Sequence, residues 1–427
     1  MAKCIVIGGG LAGISATVYL SKIGNQVTLI ESSPKLGGRT YSLFDTKTNT
    51  EIDNGQHIMM GAYKHTFDFL KLIDANSIPE YQTKMSVDFI GKGNNKFKLE
   101  ARNKLYPINL AGALFRFEVL SFKEKISVFK FLIKLFIINS SGKFKNVNDW
   151  LLNEHQTENT INMLWEPICI GALNTRIEDA SPIMFAVLIK EIFFKGNKNS
   201  TFVLTSKPLN RLFIEPSINY FKANDIEYHL SEKIVLLNFE NNILKKINTS
   251  KREITDFDFV ILAIPPYSIK QINSNFKILS DEILNMDNST IVTVHLWTKD
   301  SFNIDKFAGL LNSPIHWIFN NGNHYSVVIS SADKLIEMDS EDIYKLVINE
   351  LLLYFPEFEE IDIYDYKVIK EKRATIKSNL TNEKLREEIN SPIPNLIFAG
   401  DWTNTKLPGT IEGAILSGKK AAEKIIC

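Results

Sequence analysis

The N-terminal residues alternate between the hydrophobic periodicities of strands and of a helix. A short apolar run from Cys4 to Ile7 is typical of a buried strand, and the apolar positions that follow, as far as about Gly24, recur with helical spacing. A second apolar run, from Gln26 to Ile30, again indicates a strand. The pattern predicts a βαβ unit, whose two strands lie parallel in one sheet.

Similar patterns return in the middle and at the end of the chain. Residues 226–247 alternate in strand fashion across an Asn-Asn turn, and the run from Asp258 is a short buried strand stopped by prolines. Asn395 to Asp401 is typical of a buried strand that ends in an acid, and a helix entered through glycine is predicted after Leu407. We therefore expect distant segments to contribute to one sheet.

Glycines mark the turn between the first strand and the first helix. Gly8, Gly10 and Gly13 have the GxGxxG spacing: the first permits a tight turn, the second leaves room for a pyrophosphate, and the third lets the helix pack closely on the sheet. The phosphates would accept hydrogen bonds from amides at the helix N-terminus. Glu31 ends the second strand, where a carboxylate can bind an adenosine ribose and disfavours a 2′-phosphate. These features predict a dinucleotide site.

The LGGR sequence from Leu36 to Arg39 extends this unit and points to FAD as the dinucleotide. Arg39 places a fixed cation beside the expected pyrophosphate. No other strand followed by GxGxxG occurs later in the sequence, so no built-in NAD(P)H domain is predicted. Electrons for the flavin are therefore expected from an external donor.

Composition narrows the class of protein. The 427 residues are 44% hydrophobic, which is ample for a large core. The numbers of basic and acidic residues are equal, 49 of each, and no basic block dominates, which argues against nucleic-acid binding. Three widely separated cysteines without a CxxC motif indicate neither a disulfide framework nor a thiol redox pair, and no metal site is expected. A cytoplasmic location fits this pattern, and neither a signal peptide nor a membrane span is predicted.

The order of these segments predicts a discontinuous organisation. Residues 1–75, 225–285 and 391–427 are expected to form the FAD-binding domain. Residues 76–224 and 286–390 are expected to form a second, substrate-binding domain over the flavin.

Four further segments carry a resemblance to a known family. They are DNGQHIMMGAY (53–63), WEPICIGALNT (165–175), KPLNRLFIEP (207–216) and AGDWTNTKLPGTIEGAILSG (399–418). Together with the N-terminal unit they resemble the flavin amine oxidase and phytoene desaturase superfamily and, more narrowly, the hydroxysqualene dehydroxylases, also called squalene-associated FAD-dependent desaturases. The WEP and GDWT segments are more specific than GxGxxG itself. The resemblance extends over nearly the whole chain.

The resemblance implies both a fold class and a reaction. The fold is α/β, with a Rossmann-like FAD-binding domain of the discontinuous GR2 type and a mixed α+β substrate domain. The reaction belongs to hopanoid and squalene biosynthesis: a C30 isoprenoid loses an allylic hydroxyl group as water and receives hydride from reduced FAD, giving squalene. It needs a proton donor at the leaving oxygen and an apolar chamber that excludes water. Desaturation of phytoene or dehydrosqualene stays open as an alternative, and amine oxidation is a less favoured one.

Contacts with FAD follow residue by residue from the resemblance. Asp401, at the end of the last strand, is expected to bond the ribityl or pyrophosphate part, and the backbone of Ile234 to meet the adenine. The predicted FAD-binding residues are Gly8, Gly10, Leu11, Ala12, Gly13, Glu31, Gly38, Arg39, Gly55, Gln56, Ile234, Gly400, Asp401, Thr410 and Ile411.

Three residues are candidates for the proton donor. His57 leads, because the GQH segment follows the FAD-contacting loop and histidine titrates near neutral pH; alternatively it only bonds a backbone carbonyl or the flavin edge. Glu166 is second, because apolar surroundings favour a protonated carboxyl group; a helix cap or an ion pair with Arg176 would also explain it. Asp53 is third, although an acid in this sequence context is more often a turn residue. Trp165, Trp402 and Cys169 are expected to be packing residues.

A segment from residue 113 to residue 139 has an unusual composition. It mixes Phe, Leu and Ile with Arg116, Lys123, Lys125, Lys130 and Lys134, against only Glu118 and Glu124. Two interpretations stay open: a helix in contact with the inner membrane surface, with its lysines toward anionic lipid, and an ordinary amphipathic helix that covers the substrate domain. The poor solubility of a squalene-sized substrate favours peripheral membrane contact. The oligomeric state is left undetermined.

Overall fold

The computed structural model describes residues 1–102, 105–138, 140–299, 302–358 and 362–425. Its strands, in chain order, are β1 (Lys3–Ile7), β2 (Gln26–Ile30), β3 (Ser42–Asp45), β4 (Thr50–Asp53), β5 (Met59–Met60), β6 (Glu80–Tyr81), β7 (Ser86–Gly91), β8 (Asn95–Glu100), β9 (Phe202–Leu204), β10 (Glu227–His229), β11 (Ile234–Glu240), β12 (Ile243–Thr249), β13 (Glu253–Ile254), β14 (Phe259–Leu262), β15 (Asn273–Ser274), β16 (Asn288–Thr298), β17 (Phe307–Leu310), β18 (Trp317–Asn320), β19 (Tyr325–Ser330), β20 (Ile363–Ile376) and β21 (Leu396–Phe398).

The α-helices are α1 (Leu11–Lys22), α2 (Lys64–Leu72), α3 (Ile108–Arg116), α4 (Phe122–Ile137), α5 (Val147–Asn153), α6 (Glu158–Thr160), α7 (Glu166–Leu173), α8 (Pro182–Phe194), α9 (Asn197–Ser200), α10 (Glu215–Ala223), α11 (Pro266–Ile269), α12 (Asp281–Leu284), α13 (Ser340–Tyr354), α14 (Leu380–Glu388) and α15 (Ile411–Glu423). Turns of π-helix at Ile161–Trp165 and Asn210–Ile214 directly precede α7 and α10. Among the helices in the described ranges, none is long and apolar enough to cross a bilayer.

A parallel sheet with the order β10-β2-β1-β14-β21 contains the N-terminal βαβ unit. Its strands come from the beginning, the middle and the end of the chain, and β1 and β2 are largely buried, as expected when helices cover both faces. The predicted α/β class and the sharing of one sheet by distant segments are confirmed.

Helices α1 and α15 pack against each other, and their buried side chains belong to the same hydrophobic core as those of this sheet. The Ser15 hydroxyl group donates a hydrogen bond to the Ile415 carbonyl oxygen at 2.8 Å. Gly418 brings the two backbones close together, since a Cβ atom there would lie 2.2 Å from the Ala12 carbonyl oxygen. The C-terminal helix is therefore fixed directly to the first helix of the chain.

The predicted hairpin in the middle of the chain is formed by β11 and β12. Asn241 and Asn242 connect them with φ angles of 51° and 59°. Asparagine tolerates this left-handed conformation, which matches the twist of a tight hairpin.

A larger sheet with the order β20-β16-β19-β18-β17-β7-β8 forms the centre of the second half of the molecule. Side chains alternate between its two faces. Val292, Val294 and Leu296 of β16 join a core with α13. The opposite face is covered in part by helices α3 to α8, whose buried side chains form a core with Phe89 and Phe307.

One predicted domain boundary needs correction. Phe213 and Phe221 lie in the core of the parallel sheet, although residues up to 224 were assigned to the substrate-binding domain. The reason is that α10 leads into β10, which pairs with β2, so this connecting helix packs on the sheet that it serves.

The single helix predicted across residues 113–139 is also wrong, since the structure has two helices there. α3 ends at Arg116, and α4 begins after Ser121. Ser121 and Glu124 form a capping box: the Ser121 hydroxyl oxygen accepts from the Glu124 amide at 3.4 Å, and the Glu124 carboxylate accepts from the Ser121 amide at 2.7 Å. Residue 139 lies outside the described residues.

Candidate functional site

The glycine turn between β1 and α1 has the shape needed to receive a ligand. Gly8 has a φ angle of +111°, and a Cβ atom on Gly13 would lie 1.8 Å from the Gly8 carbonyl oxygen. These two glycines are therefore required by the protein itself. A Cβ atom on Gly10, in contrast, would meet only the Gly38 Cα atom, at 3.9 Å. The open space over Gly10 fits the approach of a pyrophosphate.

The backbone amides at the start of α1 are a second feature of this turn that suits a ligand. Gly10 caps the helix and offers no side chain to accept hydrogen bonds from its first turn. The amides of Leu11, Ala12 and Gly13 lie in that turn and have no acceptor within the helix. They suit a bound anion.

Glu31 and the LGGR loop are brought to this turn. The Glu31 carboxylate accepts hydrogen bonds from the amides of Gly9 at 2.5 Å and Ser33 at 2.6 Å. The Gly37 amide donates to the Gly9 carbonyl oxygen at 2.8 Å, and Gly38 lies against Gly10. The loop therefore borders the space over Gly10.

Arg39 connects this loop to the distant end of β21. Its guanidinium group lies 2.6 Å from an Asp401 carboxylate oxygen and donates to the Ala374 carbonyl oxygen at 3.0 Å. Burial alone would lower the pKa of Arg39, but the Asp401 carboxylate outweighs this effect and raises it. Gly400 precedes the acid with a φ angle of +140°, and a Cβ atom there would clash with the Trp402 indole. The site thus keeps a charged pair at its edge.

The N-terminus of α15 adds Thr410 and Ile411. The Thr410 hydroxyl oxygen accepts from the Gly413 amide at 3.3 Å and caps the helix. The Glu412 carboxylate accepts from the Thr66 amide at 2.8 Å, which holds α15 to the start of α2. Ile234 is a buried residue of β11 that pairs with Thr249, and its predicted contact with adenine stays a prediction.

Asp53, one candidate proton donor, ends β4, and the loop that follows contains Gly55, Gln56 and a second candidate, His57. The Asp53 carboxylate accepts from the Ser42 hydroxyl group at 2.7 Å and from the Leu209 amide at 3.0 Å. Burial raises the pKa of Asp53 to about 6. The two hydrogen bonds lower this pKa but do not outweigh burial, and they connect Asp53 to β3 and to the segment at Leu209.

His57 has a different environment. Burial, and then the positive charge of Arg39, lower its pKa to about 4. Within the described ranges its imidazole has no hydrogen-bond partner. His57 is therefore neutral at pH 7, a form that is a weak acid. Its role as proton donor stays a prediction and requires the minor, protonated form.

Glu166 lies at the start of α7. Burial, and then the nearby Glu178 carboxylate, raise its pKa. It accepts a hydrogen bond from the Ile177 amide at 3.4 Å, and Arg176 pairs with Glu178 instead, at 4.0 Å. In the part of the chain that the structure describes, no hydrogen bond or ion pair links Glu166 to His57. Its catalytic role also stays a prediction.

A buried histidine network under the Asp53–His57 loop was missed from the sequence. His295 of β16 contacts the Asp53 carbonyl oxygen through Nε2 at 3.1 Å and the Ser326 hydroxyl group through Nδ1 at 3.1 Å. The Asn321 side-chain amide donates to Ser326 at 2.7 Å. Burial, and then the neighbouring His324, lower the pKa of His295 to about 3, so it is neutral. Alternation of Thr293 and His295 with valines along β16 was the available signal for a polar face.

The packing roles predicted for three residues are confirmed. Trp165 and Trp402 are 0% and 1% exposed. The Trp165 indole donates to the Gln156 side-chain oxygen at 2.9 Å. Burial raises the pKa of Cys169, which leaves it an unreactive thiol.

Comparisons with known proteins agree with this geometry. The sequence profile described as flavin containing amine oxidoreductase matches residues 11–426. The chain is 26% identical over 424 residues to hydroxysqualene dehydroxylase of Zymomonas mobilis, covering 98% of this chain and 97% of the relative. It is 24% identical to hydroxysqualene dehydroxylase of Sinorhizobium fredii, with 98% and 97% covered. It is 22% identical to a probable zeta-carotene desaturase of Synechococcus elongatus, with 99% and 98% covered.

Solved structures share the fold. An oxidoreductase from Methanosarcina mazei has a TM-score of 0.76 at 15% identity, with 99% of this chain and 100% of that chain covered. Putrescine oxidase bound to putrescine has a TM-score of 0.73 at 15% identity, with 99% and 98% covered. The cofactor of this chain is FAD, in agreement with the open glycine turn, the first turn of α1 that no side chain caps, and the acid that follows β2. The chain belongs to the family of flavin containing amine oxidoreductases.

Proposed function

We propose that this enzyme removes the allylic hydroxyl group of hydroxysqualene and replaces it with hydrogen to give squalene. The observation that carries the proposal is the similarity to three hydroxysqualene dehydroxylases, at 23–26% identity over at least 97% of each chain's length. The carotenoid desaturases among the relatives are 21–23% identical.

The overall reaction sets the tasks of the protein. An alcohol and two-electron-reduced FAD give a hydrocarbon, water and oxidised FAD, and reduced FAD supplies the hydride when it is bound. The protein must hold the long substrate, bring a proton to the departing oxygen and exclude bulk water from the developing allylic cation. Regenerating the reduced cofactor needs an external electron donor, which we expect to be a nicotinamide or an electron-transfer protein.

The face of the larger sheet that helices α3 to α8 cover in part has side chains suited to an elongated apolar substrate. Phe89, Gly309, Trp317, Val328 and Thr293 lie in direct register across five neighbouring strands. With strands roughly 4.8 Å apart, this row extends about 20 Å. A Cβ atom on Gly309 would lie 2.8 Å from the Phe89 ring and 3.1 Å from the Trp317 ring, so both rings lie over this glycine. The row is apolar and aromatic for most of its length.

Thr293 ends this row beside Gly55, in the loop between β4 and β5. A Cβ atom on Gly55 would lie 3.6 Å from the Thr293 hydroxyl oxygen. That hydroxyl group is buried and has no hydrogen-bond partner among the described residues. Since a buried polar group is costly without a partner, Thr293 supports a polar ligand group at this end, such as the flavin ring or the substrate hydroxyl. His57 is our first candidate for the proton donor there, and Glu166 and Asp53 follow.

Tests with three classes of substrate distinguish this function from its alternatives. Under anaerobic conditions, we expect the reduced holoenzyme to convert hydroxysqualene into squalene while its flavin is reoxidised. Oxidation of phytoene or dehydrosqualene by the oxidised enzyme, without squalene formation from hydroxysqualene, would instead establish the carotenoid desaturase function that the relatives also support. Peroxide release with an amine would indicate amine oxidation.

A further inference from the structure

Helix α4 has two apolar faces, of which only one is used inside the protein. Its buried side chains are Val128, Phe131, Leu132 and Leu135. Phe122, Ile126, Phe129, Ile133 and Phe136 recur every three or four residues and therefore share another face. Phe122 is 67% exposed, Ile133 58% and Phe136 68%. An ordinary covering helix has a polar outer face, so this second apolar stripe needs another explanation.

Neighbouring rings make the stripe a continuous surface. The ring of Phe115, at the end of α3, stacks on Phe129 with centroids 4.8 Å apart and lies 6.4 Å from Phe122. Phe136 lies 5.1 Å from Phe194, at the end of α8. We call Phe115, Phe122, Ile126, Phe129, Ile133 and Phe136 the aromatic surface. Contiguous exposed apolar groups of this kind mark interaction sites.

Unneutralised positive charges border the aromatic surface. Lys123 and Lys130 are exposed on α4, and within the described ranges neither is paired with a carboxylate. Lys125 donates to the Phe115 carbonyl oxygen at 2.8 Å, so its charge is also not cancelled by an acid. Lys134, in contrast, is paired with Glu154 at 2.6 Å. Aromatic groups beside unpaired lysines are complementary to an apolar layer with anionic groups above it.

We propose that the aromatic surface docks this enzyme on an anionic lipid bilayer. The exposed phenyl and aliphatic groups enter the boundary between headgroups and acyl chains, and Lys123 and Lys130 face the lipid phosphates. Phe117, which connects α3 to α4, lies 5.6 Å from Phe89 at the far end of the apolar row. Phe117 is buried and follows Phe115 of the aromatic surface by two residues, so the surface and the row lie on two sides of one packed core. Only this last link, the supply of substrate from the membrane, rests on the proposed function.

Vesicle binding by the holoenzyme without substrate tests the docking. We expect cosedimentation with vesicles of phosphatidylcholine and phosphatidylglycerol, weaker binding to phosphatidylcholine alone, and a loss of this difference at high salt. The double variant Phe122→Gln/Phe136→Gln should bind both kinds of vesicle at least about tenfold more weakly. Lys123→Glu/Lys130→Glu should lose more than about tenfold on anionic vesicles and change little on neutral ones.

Leu353→Gln is the matched control, because Leu353 is 49% exposed on α13. It should bind as the wild type does. Flavin absorbance and thermal unfolding check that each variant is folded. If Phe122→Gln/Phe136→Gln does not fold, the vesicle binding of Lys123→Glu/Lys130→Glu tests the proposal.

Two results would overturn the proposal. The first is that the wild type does not bind anionic vesicles, or that all variants bind them as well as the wild type does. The other is a dimer, seen by analytical ultracentrifugation, that the aromatic variant abolishes while vesicle binding stays unchanged, since the surface would then pair two copies. Dehydroxylation measured in detergent is independent of these outcomes, so failure of docking is distinguishable from failure of the proposed reaction.

Discussion

At the scale of single residues, the contact between Arg39 and Asp401 links the two ends of the chain at the cofactor site. The Asp401 side chain is 4% exposed and the Arg39 side chain 35% exposed, so part of the Arg39 side chain stays accessible to a ligand. Removing the cation leaves the buried Asp401 carboxylate without its partner.

We expect Arg39→Gln to weaken FAD retention by at least about tenfold, because a charge-assisted contact of this kind contributes roughly 1.5–3 kcal/mol. The flavin released on gel filtration and the dissociation constant of FAD measure the effect. Arg102→Gln, which removes an exposed partner of Glu100, is the control and should retain FAD. Equal retention by the two variants would contradict this role of Arg39.

The low pKa of His57 predicts the direction in which the reaction rate changes with pH if His57 is the proton donor. A group with a pKa of about 4 is protonated in about one molecule in a thousand at pH 7, and this fraction rises about tenfold for each unit of acidification. If His57 delivers the proton, single-turnover rates should rise from about pH 8 to about pH 5.

His57→Gln should flatten this profile while retaining FAD, and rapid mixing of the reduced enzyme with substrate measures it. An unchanged profile in the variant would exclude His57 and leave Glu166 and Asp53 as candidates. The sequence identified all three positions. It also predicted the raised pKa of Glu166 from its apolar neighbours. It did not predict the lowered pKa of His57, because that depends on burial and on how near Arg39 comes to His57 in the fold.

At the scale of elements, the contact between α1 and α15 joins two segments of the predicted cofactor site. Both helices begin at that site, since α1 follows the glycine turn and α15 follows Thr410. Gly418 permits the contact, because a Cβ atom there would come within 2.8 Å of the Ala16 amide nitrogen as well as meeting Ala12. We therefore expect the spacing of the two helices to affect FAD binding.

Gly418→Ala should lower the free energy of unfolding by about 1–3 kcal/mol, as overpacking does elsewhere, and should accelerate FAD release. Denaturant unfolding of the holoenzyme and flavin fluorescence measure these effects. Gly142→Ala is the control, because a Cβ atom at Gly142 meets nothing within 4 Å. A Gly418→Ala variant as stable as this control would show that the helices separate without cost.

Local patterns predicted elements better than they predicted the contacts between elements. β2 has the predicted bounds, and the hairpin turns at Asn241 and Asn242, because periodicity and turn chemistry are local. The break before α4 was also local and was missed, although Ser121 and Glu124 have the spacing of a capping box. The contact of His295 with Asp53 was not predictable, since it depends on which distant strands pair with β16.

At the scale of the whole molecule, buried neutral histidines couple stability to pH. Burial is the first cause in each case and lowers the pKa of His57, His316 and His324 to about 4 and that of His295 to about 3. Between about pH 6.5 and about pH 4 the unfolded chain therefore binds more protons at these groups, and stability falls as the pH falls. Asp53 opposes this trend, because its raised pKa lets the folded protein bind a proton at this group at pH values where the unfolded chain does not.

His316→Asn isolates one of these groups. The asparagine side-chain oxygen can replace Nδ1, which accepts from the Ser330 amide at 3.0 Å. Relative to this variant, the wild type should lose about 1–2 kcal/mol more unfolding free energy between pH 7 and pH 5. Urea unfolding at both pH values measures the difference. His155→Asn, at an exposed position with a φ angle of 57°, is the control. Parallel curves for His316→Asn and the wild type would contradict the burial argument.

The central claim is that reduced FAD, held by distant parts of the chain, transfers hydride to the carbon that loses its hydroxyl group. A single anaerobic turnover of the reduced holoenzyme with hydroxysqualene in D₂O tests it most directly, because the transferable hydrogen of reduced flavin exchanges with solvent. We predict squalene that carries one deuterium atom, formed in equal amount to the oxidised flavin. Unlabelled squalene, or flavin oxidation without squalene, would contradict the account.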